Sequence, residues 1–341
     1  MKIIKRAKDV QLTQDNGQND VLSIYITLYF FIRMTGADNR AAAIRGRNII
    51  MTEKRRRRFG DRKDGWKIRG IEPMAKVSPY IMVKRNDACN LILDELDIDP
   101  IEKYIHDKRA EGLDRFGIMH VIVAAYVRGI SQRPAINRFI AGQKIYARNN
   151  IEVNLTIKKE FTLDAPDTVI KIELEPDMTA QDVYERFEAA IRESRGEESN
   201  FDNTAKLLNY IPGVLMKFTM YMINMFDYFG LLPRKLTRVS PFHGTLFITS
   251  MGSLGIPPVF HHLYNFGNIP VFCAFGSKER RYELQKDGSV RQRRFIKWTF
   301  VTDERICDGF YFASALKLVK GFLKTPHCLD NPPEVVARDI E

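Results

Sequence analysis

Apolar and polar positions divide the chain into an irregular first part and a regular remainder that begins near residue 68. LILDELDI (91–98) predicts a strand, and DPIEKYIHDKRAEG (99–112) follows with helical spacing, Asp99 as its N-cap and Gly112 as its stop. FGIMHVIVAAYVRGI (116–130) is apolar on too many sides for one narrow stripe, which predicts a buried helix. IEVNLTI (151–157) and TVIKIELE (168–175) alternate with period two, and AQDVYERFEAAIRESRG (180–196) reads as a helix introduced by Thr179. GTLFITS (244–250) is a further strand, and the continuous apolar run NIPVFCAFG (268–276) has the pattern of a central one. In RRYELQKDGSVRQRRFIKWTFV (280–301), two strands flank Lys286-Asp287-Gly288-Ser289, where Asp-Gly predicts a tight primed turn. The second strand runs into TDERICDG (302–309), a charged strand exit, and FYFASALKLVKGFLK (310–324) follows as a helix. Mixed strands and helices without an internal repeat predict an α/β sandwich with a mixed sheet.

One segment departs from this pattern. LLNYIPGVLMKFTMYMINMFDYFGLL (207–232) is apolar nearly all round, interrupted by Asn209, Lys217, Asn224 and Asp227, and Pro212-Gly213 should kink it. Its two charges favour a buried or subunit-interface helix over a spanning one. With Arg234, Lys235 and Arg238 following, residues 207–235 also suit peripheral membrane contact or a site for an acyl chain. LSIYITLYFFI (22–32) is too short to span a bilayer unaided and lacks a convincing cleavage site. Met51 is an alternative start, which would make residues 1–50 an upstream extension.

Charge changes the picture only at one end. Residues 1–80 hold 18 Lys and Arg against 8 Asp and Glu, and the remainder 35 against 34. The basic character belongs to an arm, chiefly Lys54–Arg58 with Arg62, Lys63, Lys67 and Arg69. Short basic runs specify little, and no zinc-finger or RNA-recognition signature accompanies them, so no specific nucleic-acid partner is expected. The expected organisation is a basic arm over 1–67, partly disordered or upstream of Met51, a regular domain over 68–325, and a tail over 326–341. Cys89, Cys273, Cys307 and Cys328 are scattered, which fits a reducing cytoplasm.

The stretch from Gly276 to Leu316, with its charged hairpin, Asp-Gly turn, strand and Asp303-Glu304-Arg305-Ile306-Cys307-Asp308-Gly309, resembles the catalytic domain of the dihydrolipoyl acyltransferases of 2-oxoacid dehydrogenase complexes. Those share a fold with chloramphenicol acetyltransferase. FHGTLFITSMGSLGI (242–256) is similar to the family's Gly-Thr-x-x-x-Ser-x-x-Gly-x-x-Gly segment. FGIMHVIVAAYVRGISQRPAINRFI (116–140) resembles its buried helix and Pro-x-x-Asn, here Pro134 and Asn137. The resemblance covers about residues 68–325. It implies a chloramphenicol acetyltransferase-like two-layer sandwich, a homotrimer with sites between subunits, no bound cofactor, and acyl-coenzyme A as co-substrate for an unknown thiol or hydroxyl acceptor. The oxyanion hydroxyl falls on Thr249, the shape-holding carboxylate on Asp308 beside Gly309, and the catalytic histidine position on Glu304. Asp303 and Arg305 complete the structural motif. A catalytically inactive trimeric scaffold or ligand-binding protein is the alternative.

Glutamate changes the proton chemistry. Moving a thiol proton to imidazole costs about 2.7 kcal/mol at ordinary pKa values, and to a carboxylate about 5.7 kcal/mol. That difference is about two orders of magnitude in rate when transfer is nearly complete in the transition state. Apolar surroundings, for which Phe300, Ile306, Phe310 and Phe312 are suited, would narrow the gap, and Arg305 would widen it if it faced Glu304. His261 and His262 are possible alternative bases, and Cys307 a possible acyl acceptor. His120 reads as a satisfied core histidine, and His106, His243 and His327 show no metal-ligand spacing, so no metal is expected. No lipoyl domain or nucleotide-binding glycine pattern is evident, so an acceptor should arrive as a separate molecule.

Overall fold

A computed structural model describes residues 56–158, 167–196 and 212–339. The chain divides into a unit of residues 1–57 and one of residues 58–341, and the elements below belong to the second. The stretch 22–32, Met51, Lys54 and Arg55 of the basic run and residues 207–211 lie outside the described residues.

In chain order the elements are β1 (Gly65–Lys67), α1 (Pro73–Ile81), β2 (Cys89–Asp97), α2 (Asp99–Ala110), α3 (Ile118–Gln132), β3 (Arg138–Ala141), β4 (Lys144–Arg148), β5 (Ile151–Lys158) and β6 (Asp167–Leu174). They continue with α4 (Ala180–Gly196), α5 (Gly213–Tyr228), α6 (Arg234–Val239), β7 (Leu246–Ser250), β8 (Val271–Leu284), β9 (Val290–Asp303) and α7 (Gly309–Lys324). A six-stranded sheet has the order β2-β9-β8-β7-β5-β6, and a smaller one the order β1-β4-β3. The β5–β7 and β7–β8 pairs are parallel and the remaining pairs antiparallel, so the large sheet is mixed.

The core lies between this sheet and a helical layer in which α3 packs against α7 and α4. Twelve residues of α3, His120 through Ser131, are buried, as its all-round apolar pattern predicts. The α4 start follows its sequence signal, because the Asp182 backbone N–H donates to Thr179 Oγ1 and the Thr179 N–H donates to Asp182 Oδ2. Asp99 is the first residue inside α2; Ile98 holds the cap, and Asp99 acts with Glu102 as negative charge at the positive end of the helix.

Two predicted elements merge. NIPVFCAFG and the first hairpin strand form one 14-residue strand, β8, with a register shift between Phe275 and Lys278. Its first half is buried and its second half alternates, so the β8–β9 hairpin begins in the core and ends as an exposed arm. At the tip only Gly288 has positive φ (+82°), and its N–H donates to the Gln285 carbonyl. A primed turn needs positive φ at Asp287 as well when these are its central residues, so this loop is instead an ordinary turn closed by a left-handed glycine.

Pro212 starts α5 rather than kinking it. Within the chain α5 is not a buried helix: Asp227 is its one buried residue, whereas Val214 (87%), Phe218 (59%) and Tyr221 (66%) are exposed. Residues 58–67, placed in the arm by the sequence pattern, pack into the same unit through β1 and Arg62. Residues beyond 325 also return to the body, where the Ala337 N–H donates to the Ser131 carbonyl at 2.7 Å and Arg138 donates to Asp339 at 2.8 Å.

Candidate functional site

The TDERICDG turn sits where β9 leaves the sheet between the first residues of β2 and β8. The Asp303 N–H donates to Pro270 O (2.8 Å) and the Glu304 N–H to Ala88 O (2.9 Å), so the backbone of both residues is pinned from either side. Asp303 and Arg305 are buried, at 1% and 4% exposure. Arg305 donates from Nε and Nη2 to the two Asp303 oxygens, each at 2.7 Å, and from Nη1 to Met82 O at 2.7 Å. A two-pronged pair therefore ties the strand exit to the end of α1. Arg305, in the turn just past the end of β9, faces Asp303 and not Glu304.

Asp308 is the N-cap of α7 and accepts the Tyr311 N–H at 2.8 Å. Gly309 is the first helical residue, and a Cβ there would meet nothing within 4 Å in this chain. Glu304 is exposed, and among the described residues none hydrogen-bonds its carboxylate. The apolar enclosure expected from neighbouring residues is not supplied by them. Phe300, Ile306 and Phe312 are buried in the core, and Phe310 is 87% exposed.

Thr249, on β7, is half-buried and pairs with Ala274 of β8, which pairs with Thr299 of β9. Glu304 lies five residues beyond Thr299 and two strands across, a separation of roughly 19 Å from strand rise and spacing. The two sequence-derived site residues do not meet within one chain. His261 stacks on Phe272 with centroids 4.1 Å apart, and its Nδ1 lies 3.0 Å from the His262 carbonyl. His262 is exposed and stacks on His261 in turn. Neither shares a hydrogen bond or ion pair with Glu304 among the described residues. Burial pushes the Cys307 thiol up to about 12, so it is a poor thiolate and a poor acyl acceptor in this state. His120 is partnered at one nitrogen only: Nδ1 accepts the Gly117 N–H at 3.0 Å, while Nε2 has no hydrogen-bond partner and lies among the rings of Phe116, Tyr184 and Phe187. No group of three or more His, Cys, Asp or Glu able to hold a metal occurs among the described residues, and no helix there is long and apolar enough to cross a membrane.

The sequence did not point to a buried polar network beside the turn. Arg85, at 6% exposure, places Nε 3.5 Å from Asp303 and donates to Tyr264 O at 2.6 Å and Gly267 O at 2.9 Å. Asp227 accepts from Arg62 at 2.6 Å and lies 3.5 Å from His243 Nε2. Burial pushes its carboxyl up, but His243 and Arg62 outweigh that and hold it at about 2. A lone acid in an otherwise apolar helix was the available signal, since such a group needs a buried cation.

No protein-family model matches the sequence, and no curated protein matches it. Solved structures do. The cubic core of the pyruvate dehydrogenase multienzyme complex aligns over 77% of this chain and 94% of that one, at 11% identity with a TM-score of 0.50. The chain has the fold of that core. A probable dihydrolipoamide acetyltransferase from Listeria monocytogenes aligns over 76% of this chain and 94% of its own, at 16% identity and a TM-score of 0.46. For a chloramphenicol acetyltransferase the values are 74%, 96%, 12% and 0.43. In this fold, the β9 exit and the α7 start carry the Glu304 turn, and β7 carries Thr249.

Proposed function

We propose that the protein is an acyltransferase moving an acyl group between coenzyme A and a thiol or hydroxyl acceptor, at a site formed between copies of the chain. The observation that carries this reading is the Glu304 turn: a solvent-facing carboxylate with no partner among the described residues, on a backbone held by a buried ion pair and a helix cap. In the forward step the acceptor oxygen or sulfur attacks the thioester carbonyl while Glu304 takes its proton. The tetrahedral oxyanion accepts a hydrogen bond from Thr249 of a neighbouring copy. Collapse breaks the carbon–sulfur bond, and the proton held by Glu304 goes to the departing coenzyme A thiolate. The roughly 19 Å between Thr249 and Glu304 within one chain supports assembly between copies, with a trimer as the proposed arrangement. A neighbouring subunit would also supply the apolar cover that Glu304 lacks here, and cover the exposed face of α5.

The test is Glu304→Gln, assayed by release of free coenzyme A thiol from acyl-coenzyme A with a dithiol acceptor. Turnover should fall by about 10²-fold or more, the usual contribution of a positioned base, with melting temperature and oligomeric state unchanged. An unaltered rate in the variant would exclude Glu304 as the base.

A further inference from the structure

A cavity of about 430 Å³ opens between the β3–β4 turn, the last turn of α5, segment 83–85 and loop 265–267. Its walls are pre-formed. Gly142 in the turn has φ +53°, and a Cβ there would lie 2.4 Å from the Tyr228 carbonyl, so only glycine lets the hairpin seat on α5. Gln143 accepts from the Tyr228 hydroxyl at 3.1 Å on the same contact.

The charges in and behind this cavity do not balance. Arg62, Arg85, Arg148 and Arg305 are each between 4% and 8% exposed; among the described residues their ion pairs run to three carboxylates, Asp64, Asp227 and Asp303, and the further negative charge near Arg148, Glu152, is shared with Lys171. Asp303 is taken by both Nε and Nη2 of Arg305, and Arg62 holds Asp64 and Asp227. Arg148 turns to Asn268 Oδ1 at 3.0 Å and lies over the Phe139 ring at 4.3 Å. Arg85, in the cavity wall, donates to three backbone carbonyls, those of Tyr264, Gly267 and Ile140, and its Nε makes no hydrogen bond, lying 3.5 Å from an Asp303 that Arg305 already holds. Burial, reinforced by Arg305 and Arg148, pulls its pKa below the usual guanidinium range despite Asp303. The Nε of Arg148 is likewise unpartnered, and Lys84 adds a further cation at the rim. A buried cation that shares its one close carboxylate with a second arginine, and that faces an open cavity, is stabilised by an anion entering that cavity.

We propose that this cavity binds a small organic anion by its carboxylate or phosphate group, with Arg85 and Arg305 in the wall and Lys84 at the rim as its counter-charges. The proposal stands apart from acyl transfer, because its readout is binding. Arg305 directly follows Glu304 in the chain, so an occupant would lie along the same turn.

The probes are inorganic phosphate and succinate, titrated calorimetrically into the full-length protein against sodium chloride of equal ionic strength. Both should bind above the chloride control and raise the melting temperature. Asn224→Asp, which sets an extra carboxylate in the wall without changing side-chain shape, and Lys84→Glu, at an exposed position, should each weaken binding at least about 10-fold, as expected for losing one close charge interaction. Failure of the unaltered protein to bind either probe beyond the chloride control overturns the proposal. So does binding as tight in both variants as in the parent. Coenzyme A separates two sources: displacement of succinate assigns the site to the coenzyme's own phosphates, and simultaneous binding assigns it to a separate carboxylate-bearing molecule. Either result supports an anion site.

Discussion

At the scale of single residues, environment and not identity decides what each candidate does. His120 is the clearest case. Burial holds its pKa at about 4, below the usual value near 6.5. Between those two values the unfolded chain takes up a proton that the folded chain refuses. Stability is therefore complete above pH 6.5 and falls on acidification, by up to about 3 kcal/mol at the lower end. Urea unfolding at pH 7 and pH 5 should show a larger loss for the parent than for His120→Gln, which keeps an acceptor for the Gly117 N–H but does not titrate. The sequence identified this residue as core without revealing that one nitrogen lacks a hydrogen-bond partner. That fact depends on ring contacts from α4, more than 60 residues away in the chain. The Glu304 position was legible for a different reason: Asp303, Arg305 and Asp308 act within a few residues of each other, so their spacing already encodes the turn.

At the scale of elements, local signals carried further than tertiary ones. Period-two strands, the Thr179 start of α4 and the buried character of α3 all appear as the pattern predicts, because each rests on contacts within one element or on one face. The joining of β8 across its bulge was not legible, since pairing with β9, and not the run of apolar residues, carries the strand past Gly276. Nor was the tie from β9 to α1, which links residues more than 220 positions apart. Its strength is testable. Asp303→Asn leaves Arg305 and Arg85 buried without a full counter-charge and should cost about 3–5 kcal/mol in denaturant unfolding. Asp308→Ala removes only the α7 cap and should cost about 1 kcal/mol.

At the scale of the whole molecule, the sheet order places Thr249 on β7 and Glu304 just past the end of β9, several residues apart along the sheet. An assembly that brings them together across subunits makes a specific prediction. Glu304→Gln and Thr249→Ala should each be inactive alone, yet subunits denatured together and refolded as a mixture should recover part of the activity, since some mixed interfaces receive an intact glutamate and an intact threonine. Recovery absent from mixtures that form normal oligomers would count against a shared site. The exposed apolar face of α5 belongs at this scale too: the sequence left a buried and a subunit-interface helix open, because composition does not distinguish a chain's own interior from an apolar surface.

The backbone of residue 304 is fixed entirely by its neighbours: Ala88 on one side, the Asp303–Arg305 pair behind it and the Asp308 cap ahead. The side chain itself makes no hydrogen bond or ion pair among the described residues. Position 304 is thus an interchangeable socket, in which one residue can be exchanged for another without disturbing the frame. A saturation series there should change turnover over orders of magnitude while unfolding free energy stays within about 0.5 kcal/mol, the usual range for an exposed site. The fold would then permit a change of chemistry at this point, from imidazole to carboxylate or back, in a single step and with no need for compensating mutations.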